Sequence, residues 1–485
     1  MLRVCSRIAA GGGMAMGRAL KELTPSRSRS HQLGAELRHW RLQRKLSQDE
    51  LGRAVHHSGS LVGRIEKADR VASLQFCVDA DVVLRTGGVL ARMFRAATET
   101  GPDTGVEAPR VESELVAESL RWVDDLSRAV ALTCQMWRSE VDRRGLLAST
   151  VWVASGFSAP LGSWLRGEAD LLPKGGGRRV GRADVDALWS MCSSFTDADH
   201  RLGGGYARST LMHYLDTVVR PLLTDGAYNE QTGRDLLGAA ARLCGLCAFM
   251  SFDSGEQGLA QRYFVQALRL SHASGSRALS GHILGDMSMQ AHHLGDGARA
   301  LQLAEAGYRA GVDVGSSSTA ARCAILSGRA NALRGDSAAA ARDRLCAEQR
   351  LDATPVDAEP TWIQFFTTQQ LAVESQYLAS DLGDHREVRR IAEELGPPSR
   401  DMQRRRVLST ATLAEACLPE SAGGDVEYAC ALLGDVLPVL PALTSARARG
   451  QVDGVRRRLS RFADHSGVCA FEECFEQIVL ASTPA

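Results

Sequence analysis

The chain has no net charge to offer a polyanion. Its 57 Lys and Arg are balanced by 57 Asp and Glu, so any affinity for nucleic acid has to come from a local patch rather than a global field. Aromatic residues are scarce, at 5%, while Ala, Gly, Leu and Arg abound, a composition that suits helices. The 12 cysteines follow no regular spacing, which argues against a disulfide framework and for a reducing cytoplasm. The one close pair, Cys244-x-x-Cys247, sits inside a helical pattern without a second pair or nearby His, where Cys serves as a small apolar filler. No metal site is expected. Phosphate loops, nucleophile elbows and zinc spacings are also missing. Gly175-Gly176-Gly177 and Gly203-Gly204-Gly205 lack the strand before and the Lys-Ser/Thr after. His272 and His282 could converge from successive helices, but no third group joins them. The expectation is a protein that is not an enzyme, with no catalytic residues and no cofactor.

Membrane and export signals are equally thin. Arg3 and Arg7 precede too few apolar residues for a secretory signal, and residues 1–30 read as a disordered arm, with Met14 or Met16 as possible starts. Arg143-Arg144-Gly145-Leu146-Leu147 opens an uncharged run to Leu165 that mimics a twin-arginine signal. It is internal and holds Gly156, Pro160 and Gly162, so it reads as a broken buried helix or a membrane-touching segment. No membrane partner is expected.

What is present begins at residues 33–70, LGAELRHWRLQRKLSQDELGRAVHHSGSLVGRIEKADR. Ser47-Gln48-Asp49-Glu50 is a capping box that starts a short helix with Leu51 and Val55 inward. His56 and His57 make a turn. Ser58 caps a second helix with Val62 and Ile65 inward and Arg64 and Lys67 outward. Two short helices across a tight turn can place the second in a DNA major groove. Residues 31–100 carry 11 Lys and Arg against 8 Asp and Glu. The patch expected to face DNA is Arg38, Arg41, Arg44, Lys45, Arg53, Arg64, Lys67 and Arg70.

On Leu37-Arg38, Arg41, Leu46-Ser47-Gln48, Glu50-Leu51, Val55, Ser58, Ser60, Val62 and Arg64-Ile65-Glu66, residues 31–84 resemble the phage-repressor-like (Xre/Cro-type) helix-turn-helix transcriptional regulators. The resemblance implies a lambda-repressor-like domain on double-stranded DNA. It puts Gln48 on a phosphate, and Gly59, Ser60, Gly63 and Arg64 at the base edges. The DNA-binding set expected is Gln48, Ser58, Gly59, Ser60, Gly63, Arg64, Lys67 and Arg70. Three positions depart from the family pattern: His56 and Ala68 replace glycines, and Ala72 replaces a proline. Gly59 and Gly63 have no side chains with which to read bases. They lend support to an alternative, a repeat scaffold that regulates through protein contacts without binding DNA.

The rest is repetitive. Gly255-Glu256, Gly295-Asp296, Gly335-Asp336, Gly383-Asp384 and Gly424-Asp425 recur 40, 40, 48 and 41 residues apart. Five residues after each Gly stands Ala260, Ala300, Ala340, Val388 or Ala429. The pattern predicts helix hairpins: Gly takes the left-handed turn, the acid sits at the start of the second helix, and the small residue lets the two pack closely. The unit resembles the tetratricopeptide repeat, stretched beyond its usual period of ~34 residues. Residues 353–362 account for most of the longest spacing. Stacked units form a superhelix with a concave groove, expected to take a peptide, a small molecule or a protein partner. Gln261, Arg262, Gln290, His292 and His293 are read as solvated surface or as ligand contacts there.

The fold class expected is therefore all-α: a lambda-repressor-like helix-turn-helix domain followed by a tetratricopeptide-like solenoid. The organisation expected is an arm at 1–30, the reader at 31–100, a linker at 101–110, a Trp-rich helical connecting region at 111–232, and repeats over 233–480. Trp122, Trp137, Trp152, Trp164 and Trp189 form either a ligand pocket, a dimer surface or the core that joins reader to repeats. The layout, with YFVQALRLSHASGSRALSGHILGDMSMQAHHLGD at 263–296, resembles the large multi-repeat regulators of filamentous actinobacteria. Some of these act as negative regulators of differentiation and antibiotic production. It also resembles the peptide-pheromone regulators of Gram-positive bacteria. These likenesses imply a cytoplasmic repressor, acting as a homodimer on paired half-sites.

Overall fold

The computed structural model describes residues 29–84, 86, 89–98, 115–142, 152–167, 176–353, 358–396, 401–418 and 424–480. Residues 1–28 and the expected linker at 101–110 lie outside them, as do residues 143–151 of the twin-arginine-like stretch. The described residues are all-α, with one isolated bridge between Arg179 and Ala227.

Five helices make the reader: α1 (Arg29–Gln43), α2 (Gln48–Ala54), α3 (Gly59–Glu66), α4 (Leu74–Leu84) and α5 (Val89–Thr98). Ser47 forms the capping box, its hydroxyl accepting from the Glu50 amide at 3.1 Å while the Glu50 carboxylate accepts from the Ser47 amide at 2.7 Å. Those bonds satisfy two amide donors that the helix itself leaves open. Ser58 caps α3. Leu51, Val55, Val62 and Ile65 all point into one core with Leu37, Trp40 and Phe76. Buried Asp81 on α4 accepts from the Leu90 and Ala91 amides, each at 2.8 Å, and so caps α5 from outside that helix.

A connecting layer follows: α6 (Leu126–Asp142), α7 (Ser158–Arg166), α8 (Arg182–Leu202), α9 (Gly204–Tyr214) and α10 (Arg220–Thr224). The described part of the uncharged stretch is packed protein, with Trp152, Phe157, Leu161 and Trp164 buried. The tryptophans resolve as core. Trp137 and Trp164 belong to the main core, with Trp122 and Trp189 packed against it, and Trp152 belongs to the reader's core.

The solenoid runs through α11 (Glu230–Asp253), α12 (Gln257–Ala273), α13 (Arg277–His293), α14 (Gly297–Asp313), α15 (Ser317–Leu333) and α16 (Ser337–Leu351). It continues through α17 (Thr368–Asp381), α18 (His385–Leu395), α19 (Gln403–Ala416), α20 (Val426–Gly434), α21 (Ala446–Leu459) and α22 (Ser466–Phe475). Its turns repeat at twice the frequency expected. Gly255, Gly275, Gly295, Gly315 and Gly335 all have positive φ, one every 20 residues. Turns into the second helix of a hairpin carry an acid at the cap, as at Asp296, Asp336 and Asp384. Turns into the next hairpin carry a serine cap, Ser276 or Ser316. The small residues Ala260, Ala300, Ala340, Val388 and Ala429 are fully buried.

Helix α11 is long and apolar enough to cross a bilayer, but 89% of its apolar window is buried by neighbours. It is the central helix of the main core.

The groove differs from expectation, because the last hairpins swing back and close it. The Thr444 amide donates to the Leu202 carbonyl at 2.9 Å, and the Gly205 amide donates to the Thr444 carbonyl at 3.0 Å. Buried Arg404 pairs with Asp199 at 2.7 Å and Asp253 at 3.4 Å, and the Ser445 hydroxyl donates to Asp253 at 2.9 Å. Gly203 and Gly205 permit this approach: a Cβ at either would come within 2.9–3.1 Å of Thr444. The triple glycine is therefore a docking point for the C-terminal hairpins.

Candidate nucleic-acid interface

The geometry of α3 is fixed from its C-terminal end. Glu66, fully buried, accepts from Arg41 Nε at 2.6 Å, Arg41 Nη2 at 3.2 Å, Arg38 Nε at 3.3 Å and Gln48 Nε2 at 2.7 Å. One carboxylate thus ties α1, α2 and α3 together. A buried ion pair contributes little net stability but leaves an expensive orphan when one partner is lost.

This network corrects several expected roles. Arg38 and Arg41 are buried and structural, and they leave the DNA-facing patch. Gln48 donates from Nε2 to Glu66 at 2.7 Å and so helps hold α2 to α3. Gly59 and Gly63 are buried too, facing α2. A Cβ at Gly59 would stand 2.8 Å from the Asp49 backbone nitrogen, and one at Gly63 would stand 2.9 Å from Gln48 Oε1. These glycines set the separation of α2 and α3 rather than face bases.

What remains outside is a row on α3 and its flanks. Ser60 and Arg64 are exposed one helical turn apart, followed by exposed Lys67 and Arg70. Ser58 is exposed as well, its oxygen accepting from the Leu61 amide at 3.2 Å. Lys45 and Arg53 are exposed. Arg44 is exposed but anchored, donating to the Leu84 carbonyl at 2.9 Å and lying over the Trp40 ring. Sequence reasoning passed over His57, which is exposed immediately before the α3 cap and rests against Phe76 with ring centroids 5.6 Å apart. Its place in the turn was the available signal. The row offers a hydroxyl, a guanidinium and an ammonium, the donors suited to base edges and phosphates.

The reader is docked on the solenoid through α1, which carries Trp40 and His39. Trp40 packs on Trp152, and Leu294 completes the reader's core. His39 Nε2 lies 3.3 Å from the Asp296 carboxylate in the α13–α14 turn. Trp152 is held in turn by α12: Gln261 exchanges two hydrogen bonds with the neighbouring Val153 backbone, at 2.9 and 2.7 Å. Gln261, Arg262 and Gln290 are thus fully buried ties, not solvated surface. His292 is half-buried beside Asp381, and His293 is exposed at its edge against Phe252.

The remaining candidate chemistry resolves as packing. Cys244 and Cys247 are buried, and burial pushes the Cys247 thiol up to about 12, far from a reactive thiolate. His272 meets the Trp122 ring edge-on while His282 contacts Trp362 and Arg322, so the two do not share a site. Among the described residues no group of three or more His, Cys, Asp or Glu is placed to hold a metal.

Fold and surface together define a class: a helix-turn-helix DNA-binding domain carried on a helical solenoid. Comparison with protein families agrees, matching residues 32–94 to a family described as a helix-turn-helix domain. Neither the curated proteins nor the solved structures returned a match.

Proposed function

We propose that the protein is a cytoplasmic, sequence-specific transcriptional regulator. In this reading it acts without catalysis, as a repressor of differentiation or secondary metabolism. The observation that carries it is the exposed Ser60–Arg64–Lys67 row on a helix locked in place by buried Glu66. A single such row makes few base contacts, too few to select a site among ~10⁶ competitors. The protein therefore works as a homodimer on half-sites roughly 34 Å apart. Its solenoid senses a ligand, and the two bound and unbound states differ in the separation of the readers.

The test is selection of bound genomic fragments followed by footprinting and salt titration of the full chain. Arg64→Ala is expected to lose roughly 1–3 kcal/mol of discrimination at one base pair, while Lys67→Ala weakens all sequences evenly and lowers the salt slope by about one. Unchanged ranking of operator variants by Arg64→Ala overturns the base-reading role. A full-length monomer that protects one half-site tightly overturns the dimer.

A further inference from the structure

Closure of the solenoid leaves a space along its axis, walled by the first helices of successive hairpins. One cavity of about 130 Å³ lies between α8, α11, α13, α17 and α19. A second of about 240 Å³ adjoins it and shares Met289, Tyr377, Leu408 and Arg447 as walls. Their size is that of a small ligand: a dry cavity of ~150 Å³ holds a single benzene ring.

The charges around this space do not close. Arg322 pairs with Asp286, Arg404 with Asp199, and Arg329 with Asp381 and Glu374. Arg447 lies 3.6 Å from Asp253 and 4.5 Å from the Phe252 ring. Arg242 and Arg405 line the cavity with no ion pair to any described residue. Arg242 is 7% exposed, and its Nε has no hydrogen-bond partner. Gln370 Oε1, an acceptor on the cavity wall, is also unpartnered. The local potential is positive: burial first, then Arg404, Arg405 and Arg242, hold His200 down at about 3. A buried guanidinium without a counter-charge is costly to maintain.

We propose that this cavity binds a small molecule bearing an oxyanion, carboxylate or phosphate. Arg242 and Arg405 receive the anion, Gln370 accepts from a donor group of the same molecule, and Phe249, Phe365 and Tyr377 enclose its body. The assignment rests on the sensing role given above to the solenoid and narrows its ligand from a peptide, small molecule or protein to a small anion. Residues 358–367, in the connection between α16 and α17, serve the site. Glu359 folds back to accept from the Ser318 amide at 2.7 Å and the Ser316 hydroxyl at 2.8 Å. That contact anchors the segment that carries Phe365 to the wall.

The test uses the full chain, melted with salicylate, phenyl phosphate or benzylamine at constant ionic strength. Salicylate or phenyl phosphate is expected to raise the wild-type Tm by about 2 °C or more at saturation, and benzylamine not at all. The larger of the two anion responses names the group. Arg242→Met and Arg405→Gln are each expected to melt no lower than wild type without ligand, and to lose the anion response. Three results overturn the proposal: no anion response in wild type, an equal response in both variants, or both variants destabilised with the response retained. Operator binding by the same preparations is scored separately. Its loss in wild type overturns the regulator reading and leaves the anion site standing, and its retention without an anion response does the reverse.

Discussion

Reader and solenoid both reverse their helices through left-handed residues, but they fill those positions differently. In the solenoid the residue is glycine at every turn from Gly255 to Gly335, with φ between 71° and 88°. In the reader it is Lys45, His56 and Ala68, with φ of 56°, 58° and 59°. A side chain in that region costs roughly 1–2 kcal/mol, and glycine avoids the clash. The solenoid is thus built from relaxed, interchangeable turns and close Ala contacts. The reader holds strained turns in place with one buried carboxylate network. The contrast predicts that the reader unfolds before the solenoid and that Glu66 is its critical point.

The harshest way to break the contrast is Glu66→Ala. It leaves Arg38, Arg41 and Gln48 facing an empty place and is expected to cost about 3–5 kcal/mol. Denaturant unfolding followed by hydrogen exchange at the α2 and α3 amides, against a far-UV signal dominated by the solenoid, should show the reader melting early while the rest holds. A loss under 1 kcal/mol would mean the reader does not depend on that network. Overpacking the solenoid comes next. Ala300→Leu forces a larger side chain into a fully buried contact and is expected to cost about 1–3 kcal/mol, read as a lower Tm of the main transition. Two turn substitutions sharpen the comparison itself. Gly335→Ala has open space around its Cβ, so its expected loss of roughly 1–2 kcal/mol comes from φ alone. His56→Gly is expected to do the opposite, gaining about 0.5–1 kcal/mol in the reader. Equal signs for the two, measured by chemical denaturation, would abolish the distinction.

Local patterns were legible and distant pairings were not. Ser47 and Glu50 stand three residues apart, so their capping box could be read directly, and the Gly-acid pairs marked half of the solenoid's turns. Gly275 and Gly315 were missed because serine, not an acid, follows them. Arg38 and Arg41 read as surface because what buries them, Glu66, lies 28 and 25 residues away with no periodic link. Gly59 and Gly63 were judged by the side chain they lack rather than by the helix they admit. Closure of the solenoid depends on Arg404 meeting Asp199 across 205 residues. The cavity that closure creates, with Arg242 and Arg405 in it, could not be foreseen from any local signal.

Asp296 does two things with one carboxylate. One oxygen accepts from the Arg299 amide at 3.0 Å and so caps α14, and the other faces His39 of the reader. The reader is therefore tied to the coil at the turn between two of its central helices. A coil spring converts a small change in pitch into rotation at any arm fixed to it, and here the arm is the DNA-reading domain. For the proposed pair of readers on half-sites about 34 Å apart, each about 17 Å from the midpoint, a rotation of about 10° displaces each reader by roughly 3 Å, close to the ~3.4 Å between base pairs. In the proposed dimer, a shift in hairpin packing too small to unfold anything would then move each reader by about one base pair along its site.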